Sequence, residues 1–249
     1  MGTKFSTRIW VGVVVIASIF LGSKGYADTV ISVADFGLKP DTRENAVAYV
    51  QKAIEACRGK EPVTLVFPEG RYDFWPQYAH EKNYYETNTY DVFPKRLAML
   101  FEGLHNITVD GNGSQFVMHD RIQPITVENC DGVTLKNFSI DWDIPLTAQA
   151  RVTKVGSDFF EIEINVLESP YIIEDGKLVF VGEGWKSALG SMIEFESDTH
   201  FVVPGTGDLV LGRNWRDYTA VSPRYGIVRL SRKGGFERYP AEGNWLVLR

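Results

Sequence analysis

Two stretches of this chain echo one another at a spacing of 26 residues. Leu104-His-Asn-Ile-Thr-Val-Asp-Gly-Asn112 parallels Cys130-Asp-Gly-Val-Thr-Leu-Lys-Asn-Phe138, so that Ile107 stands against Val133. Very short apolar runs surround the echo: Leu97 to Phe101, Ile107 to Val109, Phe116 to Met118, Ile125 to Val127, Val133 to Leu135 and Phe138 to Ile140. Turn residues separate them, as in Asp110-Gly-Asn-Gly113 and Asn129-Cys-Asp-Gly132. A repeat of this length with three tiny strands per turn fits one coil of a parallel β-helix. Each rung sends an apolar side chain inward, and Asn or Gly allows the left-handed backbone of the corners. An antiparallel meander is the alternative, and it calls for hairpin registers and longer strands.

Upstream of the echo, Thr29 to Val33 reads as a strand and Asp35-Phe36-Gly37 as a turn. Asp41 and Glu44 have the spacing of a capping box, and Val47, Val50, Ile54 and Cys57 then recur as one helical stripe that Gly59 ends. Val63 to Phe67 is a buried strand stopped by Pro68-Glu69-Gly70. A bare rung exposes both its core and its edge, so the helix is expected to cap the open end of the solenoid.

After Pro145 the texture changes. Phe160, Ile162, Ile164 and Val166 alternate with Glu161, Glu163 and Asn165, which gives a strand with one wet face. Further strands are expected at Ala150 to Val155, Lys177 to Val181, Met192 to Phe195, Phe201 to Val203, Leu209 to Leu211, Gly226 to Leu230 and Asn244 to Leu248. Gly156-Ser-Asp158 and Glu174-Asp-Gly-Lys177 are hairpin turns. The expected fold class is all-β. Residues 28–147 form the N-terminal part of a parallel β-helix with its capping helix, and residues 148–249 form an antiparallel barrel or sandwich insertion. Arg249 follows directly on a strand, which suggests a truncated chain.

Residues 1–27 stand apart from this fold. Lys4 and Arg8 precede an uncharged run of 14 residues, Ile9 to Gly22, too short for the roughly 20 residues of a membrane span. Gly25-Tyr26-Ala27 offers small residues at a peptidase site, so a signal peptide cleaved after Ala27 is expected, with a secreted or periplasmic product and no membrane span after cleavage. Cleavage removes Lys4, Arg8 and Lys24 and no acid, leaving 23 basic against 32 acidic side chains and a net charge of −9. A nucleic-acid partner, which needs a basic face, is excluded. Cys57 and Cys130 are two thiols on different elements, and the compartment permits a disulfide between them. Four scattered histidines lack the helical pairing of a metal site. Neither a metal nor a cofactor is expected.

Asp35-Phe-Gly37, Ala46 to Cys57 and Thr64 to Tyr72 together resemble the opening of the pectin-lyase-like enzymes, a superfamily of right-handed parallel β-helices that includes polygalacturonases. The usual Gly-Asp-Gly loop is replaced here by Leu38-Lys-Pro-Asp41. A closer resemblance is to the bacterial exo-α-1,3-galactosidases of glycoside hydrolase family 110. It is carried by Asn106 to Ser114, Phe138 to Pro145 and Tyr171 to Trp185. That resemblance implies a β-helix interrupted by barrel insertions. It also implies an inverting hydrolase that removes terminal α-1,3-linked galactose from an oligosaccharide or glycoconjugate. Members of the family are longer than this chain, and their catalytic aspartates lie in rungs beyond residue 249. A polygalacturonase-like or pectate-lyase-like enzyme and a non-catalytic glycan-binding β-helix are the alternatives.

Inverting hydrolysis needs two carboxyl groups roughly 6.5 to 9.5 Å apart. Within this chain the candidates are Asp141 and Asp143, which point the same way from a strand about 7 Å apart at their Cα atoms while Trp142 points oppositely. An Asp beside a coil corner also caps backbone donors, so both readings stand. Tyr72 to Phe93 carries eight aromatic residues and is expected to be a loop, since Pro76, Pro94 and polar residues interrupt it. Sugar C–H faces stack on aromatic rings, and Trp75 and Tyr85 are the candidate substrate-binding residues. Glu183 and Trp185 sit in a Gly-rich turn that either reaches over a cleft or is purely structural.

Overall fold

The computed structural model describes residues 29–83, 94–205 and 217–248. The expected signal peptide, Tyr85 and the strand at Leu209 to Leu211 lie outside the described residues. The described residues are mostly strand, with one α-helix among them, α1 (Val47–Cys57). Among the described residues no helix is long and apolar enough to cross a membrane.

The first half is built from β1 (Thr29–Ser32), β2 (Val63–Val66), β3 (Arg71–Phe74), β4 (His80–Lys82), β5 (Lys95–Glu102), β6 (His105–Met118), β7 (Gln123–Glu128) and β8 (Asp131–Trp142). Except for the antiparallel β4–β5 pair, these strands pair in parallel. The 26-residue echo is a pairing register: Ile107 lies beside Val133 in β6–β8, and Met99 lies beside Ile125 in β5–β7. β2 and β3 together pair along β6, so β2–β3, β6 and β8 form three successive tiers.

The tiers differ from the expected six tiny strands. Ile107 to Val109 and Phe116 to Met118 belong to one strand, as do Val133 to Leu135 and Phe138 to Ile140. The turn residues between them produce only a register shift between Asp110 and Ser114. Pairing with β8 resumes at Ser114↔Phe138, and β2 and β3 pair with β6 on either side of the irregularity. Asn106, Asn112, Asn129 and Asn137 all have positive φ, the left-handed conformation an Asn tolerates. Gly132 is required by close approach: a Cβ there would lie 2.6 Å from Asn106 Oδ1 on the neighbouring tier.

The helix also differs at its start. Asp41 and Glu44 do not box it. Asn45 Oδ1 instead accepts the Val47 N–H at 3.1 Å, while Asp41 accepts the Arg71 backbone N–H. The apolar stripe Val47, Val50, Ile54 and Cys57 is buried among the inward side chains of the tiers, with Val109, Phe116 and Phe101. Tyr72 and Phe74 belong to the same core, so the expected aromatic loop begins as strand β3. Phe116 contacts Phe67, Phe74 and Phe138 at centroid separations of 4.7, 5.6 and 4.8 Å. Both cysteines are free thiols, Cys57 buried and Cys130 half-buried.

The second half has its own core. It comprises β9 (Ala148–Val155), β10 (Phe159–Ile164), β11 (Tyr171–Glu174), β12 (Lys177–Gly182), β13 (Trp185–Ala188), β14 (Met192–Phe195), β15 (Thr219–Arg224), β16 (Ile227–Ser231) and β17 (Trp245–Leu248). Six of these run antiparallel in the order β14-β17-β9-β10-β16-β15, and β11-β12-β13 form a smaller sheet. Phe160, Ile162 and Ile164 are buried as the alternation requires. Asp175-Gly176 closes β11–β12 with both residues at positive φ, the conformation that suits a two-residue hairpin turn to strand twist. Phe201 to Val203 contributes only an isolated bridge at Val202.

Candidate functional site

The register of the tiers places three side chains in one column just beyond the ends of their strands. Phe74 pairs with Met118 and Met118 with Trp142, so Trp75, His119 and Asp143 come next on successive tiers. The His119 N–H donates to Phe74 O and the Asp143 N–H to Met118 O, which continues the pairing into the column. Parallel pairing lays like positions over one another, and the Trp75 and His119 rings stack at 3.8 Å with an interplanar angle of 11°. Asn45 fixes Trp75 from the helix side, its Oδ1 accepting the Trp75 N–H while its amide donates to Gln77 O at 2.8 Å.

His119 is 3% exposed and sits between two carboxylates. Its Nε2 lies 2.8 Å from Asp73 Oδ1, and its Nδ1 lies 2.6 Å from Glu183 Oε2. Both ring nitrogens are thus engaged by carboxylate oxygens, and the ring lies flat against the indole of Trp75. Asp73 is 1% exposed. Burial works against its ionisation, but Arg71 and His119 outweigh that and hold its carboxyl below the usual range. The Arg71 guanidinium bridges the buried acid to the column, with Nε 3.0 Å from Asp73 and Nη2 2.9 Å from Asp143.

Glu183 arrives from the second half of the chain. Gly182 pairs with Trp185, leaving Glu183-Gly184 as the two-residue tip of the β12–β13 hairpin. Gly184 has φ +77, and a Cβ there would come within 2.7 Å of Asp120 Oδ2. Only a glycine lets the tip seat this closely. The Arg121 guanidinium lies over the Trp185 ring at 5.6 Å from its centroid. The turn therefore contacts the tiers, and Trp185 beside it lines one of the cavities described below.

Of the expected site residues, Asp143 joins this network and Trp75 stacks beside it. Asp141 stays outside: it is exposed, and its Oδ1 accepts the Trp142 N–H at 2.8 Å, the local capping that competes with a catalytic role. Trp142 turns inward against the core and donates to Asp120 O. Asp73, His119 and Arg71 carried no sequence signal, since their partners lie 46, 64 and 72 residues away.

His119, Asp143 and Glu183 bring one ring nitrogen and two carboxylates within 4.8 Å of one another, a donor set of the kind that holds a divalent ion. The contacts fit protons better. A separation of 2.6 Å between Nδ1 and Oε2 is that of a charge-assisted hydrogen bond, and Asp143 already holds the Arg71 cation. The same spacing is too close for an inverting pair, which must leave room for water.

A groove opens beside the column. One cavity of about 630 Å³ is lined by Asn45, Trp75, Gln77, Tyr78, Arg96 and Asp120, among others. A second of about 410 Å³ is lined by Arg96, Asp120, Arg121, Trp185 and Lys186, among others. The two meet at Arg96 and Asp120.

Residues 148–246 match the family model described as GLAA-B beta-barrel domain I, and the second half of the chain has this strand-rich architecture. Over 225 residues the chain is 56% identical to an α-1,3-galactosidase B of Bacteroides thetaiotaomicron, a match covering 90% of this chain and 36% of that protein. The chain is related to the bacterial α-1,3-galactosidases. An α-1,3-galactosidase A of Shewanella woodyi is 33% identical over 88% of this chain and 35% of its own length. An α-1,3-galactosidase A of Bacteroides fragilis is 34% identical over 89% of this chain and 36% of its own length. The chain thus spans about a third of the length of the α-1,3-galactosidases it matches.

Proposed function

We propose that this chain is the N-terminal portion of an exported glycoside hydrolase that removes terminal α-1,3-linked galactose from glycans with inversion. The observation that carries this reading is the 56% identity to an α-1,3-galactosidase B over nine-tenths of the chain. In this reading residues 1–27 are a signal peptide. Residues 28–147 are the first coils of a right-handed parallel β-helix capped by α1, supported by the 26-residue parallel register. Residues 148–249 are an inserted barrel, supported by the match at 148–246.

The acid and base of the reaction come from the part of the relatives' length that has no counterpart here. The close, bonded arrangement of Asp143 and Glu183 supports this, because neither carboxylate is left free beside a water-sized gap. Trp75 serves binding instead, lining the groove as a stacking surface for a sugar, with Tyr85 as a second contact, while Asp143 holds Arg71 in the charged network. No metal or cofactor takes part.

The complete gene product should release galactose from an α-1,3-linked galactosyl disaccharide, with proton NMR showing the β-anomer first and chelator without effect. Retention of configuration, an unsaturated product that vanishes with chelator, or binding without turnover would each overturn the reading.

A further inference from the structure

We propose that the groove between Trp75 and Trp185 is a binding site for the neutral sugars that precede the terminal galactose. This rests on the galactosidase reading and extends it. One departing galactose needs a single pocket, whereas the two joined cavities, about 630 and 410 Å³, each lie within the roughly 300–1,000 Å³ of ligand sites. Because both are lined by Arg96 and Asp120, they form one continuous trough.

The lining matches a carbohydrate chain. The two indoles line different cavities, Trp75 stacked on the His119 ring and Trp185 beneath the Arg121 guanidinium. Aromatic faces take the C–H faces of sugar rings. Between them, where the cavities meet, a guanidinium and a carboxylate offer donor and acceptor to sugar hydroxyls. The chemistry favours uncharged sugars. Arg96 already lies 3.4 Å from Glu81 and Lys186 lies 3.0 Å from Glu174, and Asp120 adds a negative charge that an anionic sugar would meet. Trp185 reaches the trough on the hairpin that the His119–Glu183 bond ties to the tiers, so the site exists only when the two halves of the chain are joined.

The test compares two substrates of the complete gene product: a neutral tetrasaccharide ending in α-1,3-galactose and the disaccharide with the same linkage. The tetrasaccharide should have the higher kcat/KM, and Trp185→Ala should reduce the ratio of the two values roughly three- to tenfold, the scale of one aromatic contact. Arg96→Ala, at an exposed position, should reduce it too and guards against a Trp185→Ala protein that fails to fold. A wild-type ratio near one, or a ratio unmoved in both variants, overturns the proposal. If neither saccharide is cleaved the galactosidase reading fails separately. Saturation-transfer NMR of the tetrasaccharide then decides the groove: a signal lost in both variants supports it, and no signal, or one unchanged in both, rejects it.

Discussion

The two halves of the molecule bury their apolar residues by different means. In the antiparallel half the hairpins β9–β10 and β11–β12 close over short turns, β16 and β17 arrive from far along the chain to pair with β10 and β9, and the large side chains of the core are enclosed by neighbouring strands. In the parallel half each tier is covered by the next. Phe101, Val109 and Phe116 are 0% exposed, whereas their register partners one tier outward, Val127, Leu135 and Ile140, are 47, 39 and 38% exposed. The same rung positions change from core to surface in one step. Stability in such a stack is a sum over neighbours, so the outermost tier holds half of an interface, whereas the antiparallel half does not depend on a further layer in this way.

The largest expected effect tests that gradient. Phe116→Ala removes a ring packed against three others and should cost about 3–5 kcal/mol. Phe138→Ala, in the half-covered tier, should cost less than half as much, because its cavity opens toward solvent. Urea unfolding of the two variants checks this. Equal losses would mean that the outer tier is as enclosed as the inner one, and the contrast between the halves would break.

A second comparison concerns self-association. Leu135 and Ile140 lie on β8, which pairs among the described strands only with β6. An exposed apolar edge strand is a template for pairing. The purified 249-residue chain should therefore self-associate with rising concentration in sedimentation, and Leu135→Lys should weaken this several-fold. Leu167 of the antiparallel half is also exposed, at 86%, but it does not lie on an open strand edge, and Leu167→Lys should leave association unchanged. An equal response to both variants would remove the distinction.

How much of this was legible in the sequence also differs between the halves. The 26-residue echo and the Asp175-Gly176 turn were readable because the first is a repeat and the second a local conformational demand. Strand lengths were not, because β6 and β8 each run through a turn-like stretch that only shifts their mutual register, a tertiary outcome that local turn residues do not announce. The start of the helix differs because Asn45, one residue before the N-cap, takes the Val47 N–H while Asp41 is drawn away to Arg71, 30 residues on. The charged network was the least legible part. Asp73 beside Arg71 reads as ordinary polar strand, and His119 acquires meaning only when tiers 44 residues apart are aligned and a hairpin from the other half delivers Glu183.

That junction, where the halves meet, carries the third expected effect. Asp73→Asn leaves Arg71 and His119 without their buried anion and should cost about 2–3 kcal/mol, the scale of hydrogen bonds to charged groups. The pH dependence has a definite sign. The folded Asp73 carboxyl titrates below the ordinary value of 3.8, so its stabilisation is complete above that range and is lost as pH falls through the folded value. The parallel half of the wild-type chain should lose stability across this acid window, and the Asp73→Asn chain should lose less. Parallel slopes for the two proteins would show that Asp73 does not couple the network to folding.

The smallest expected effect isolates the hairpin tip. Gly184→Ala places a Cβ 2.7 Å from the Asp120 carboxylate at φ +77, and the left-handed backbone alone costs an alanine about 1–2 kcal/mol. Gly176→Ala is the control. It too has positive φ, +70, but its Cβ would meet only the Thr219 methyl group, at 3.4 Å and within the antiparallel half. Both substitutions should lower the stability of the antiparallel half by a similar amount. Only Gly184→Ala should also weaken the link to the parallel half, seen as a smaller coupling energy in a His119→Gln/Glu183→Gln double-mutant cycle. If both glycines, or neither, change that coupling, the seat of the hairpin on Asp120 is not what brings Glu183 to His119.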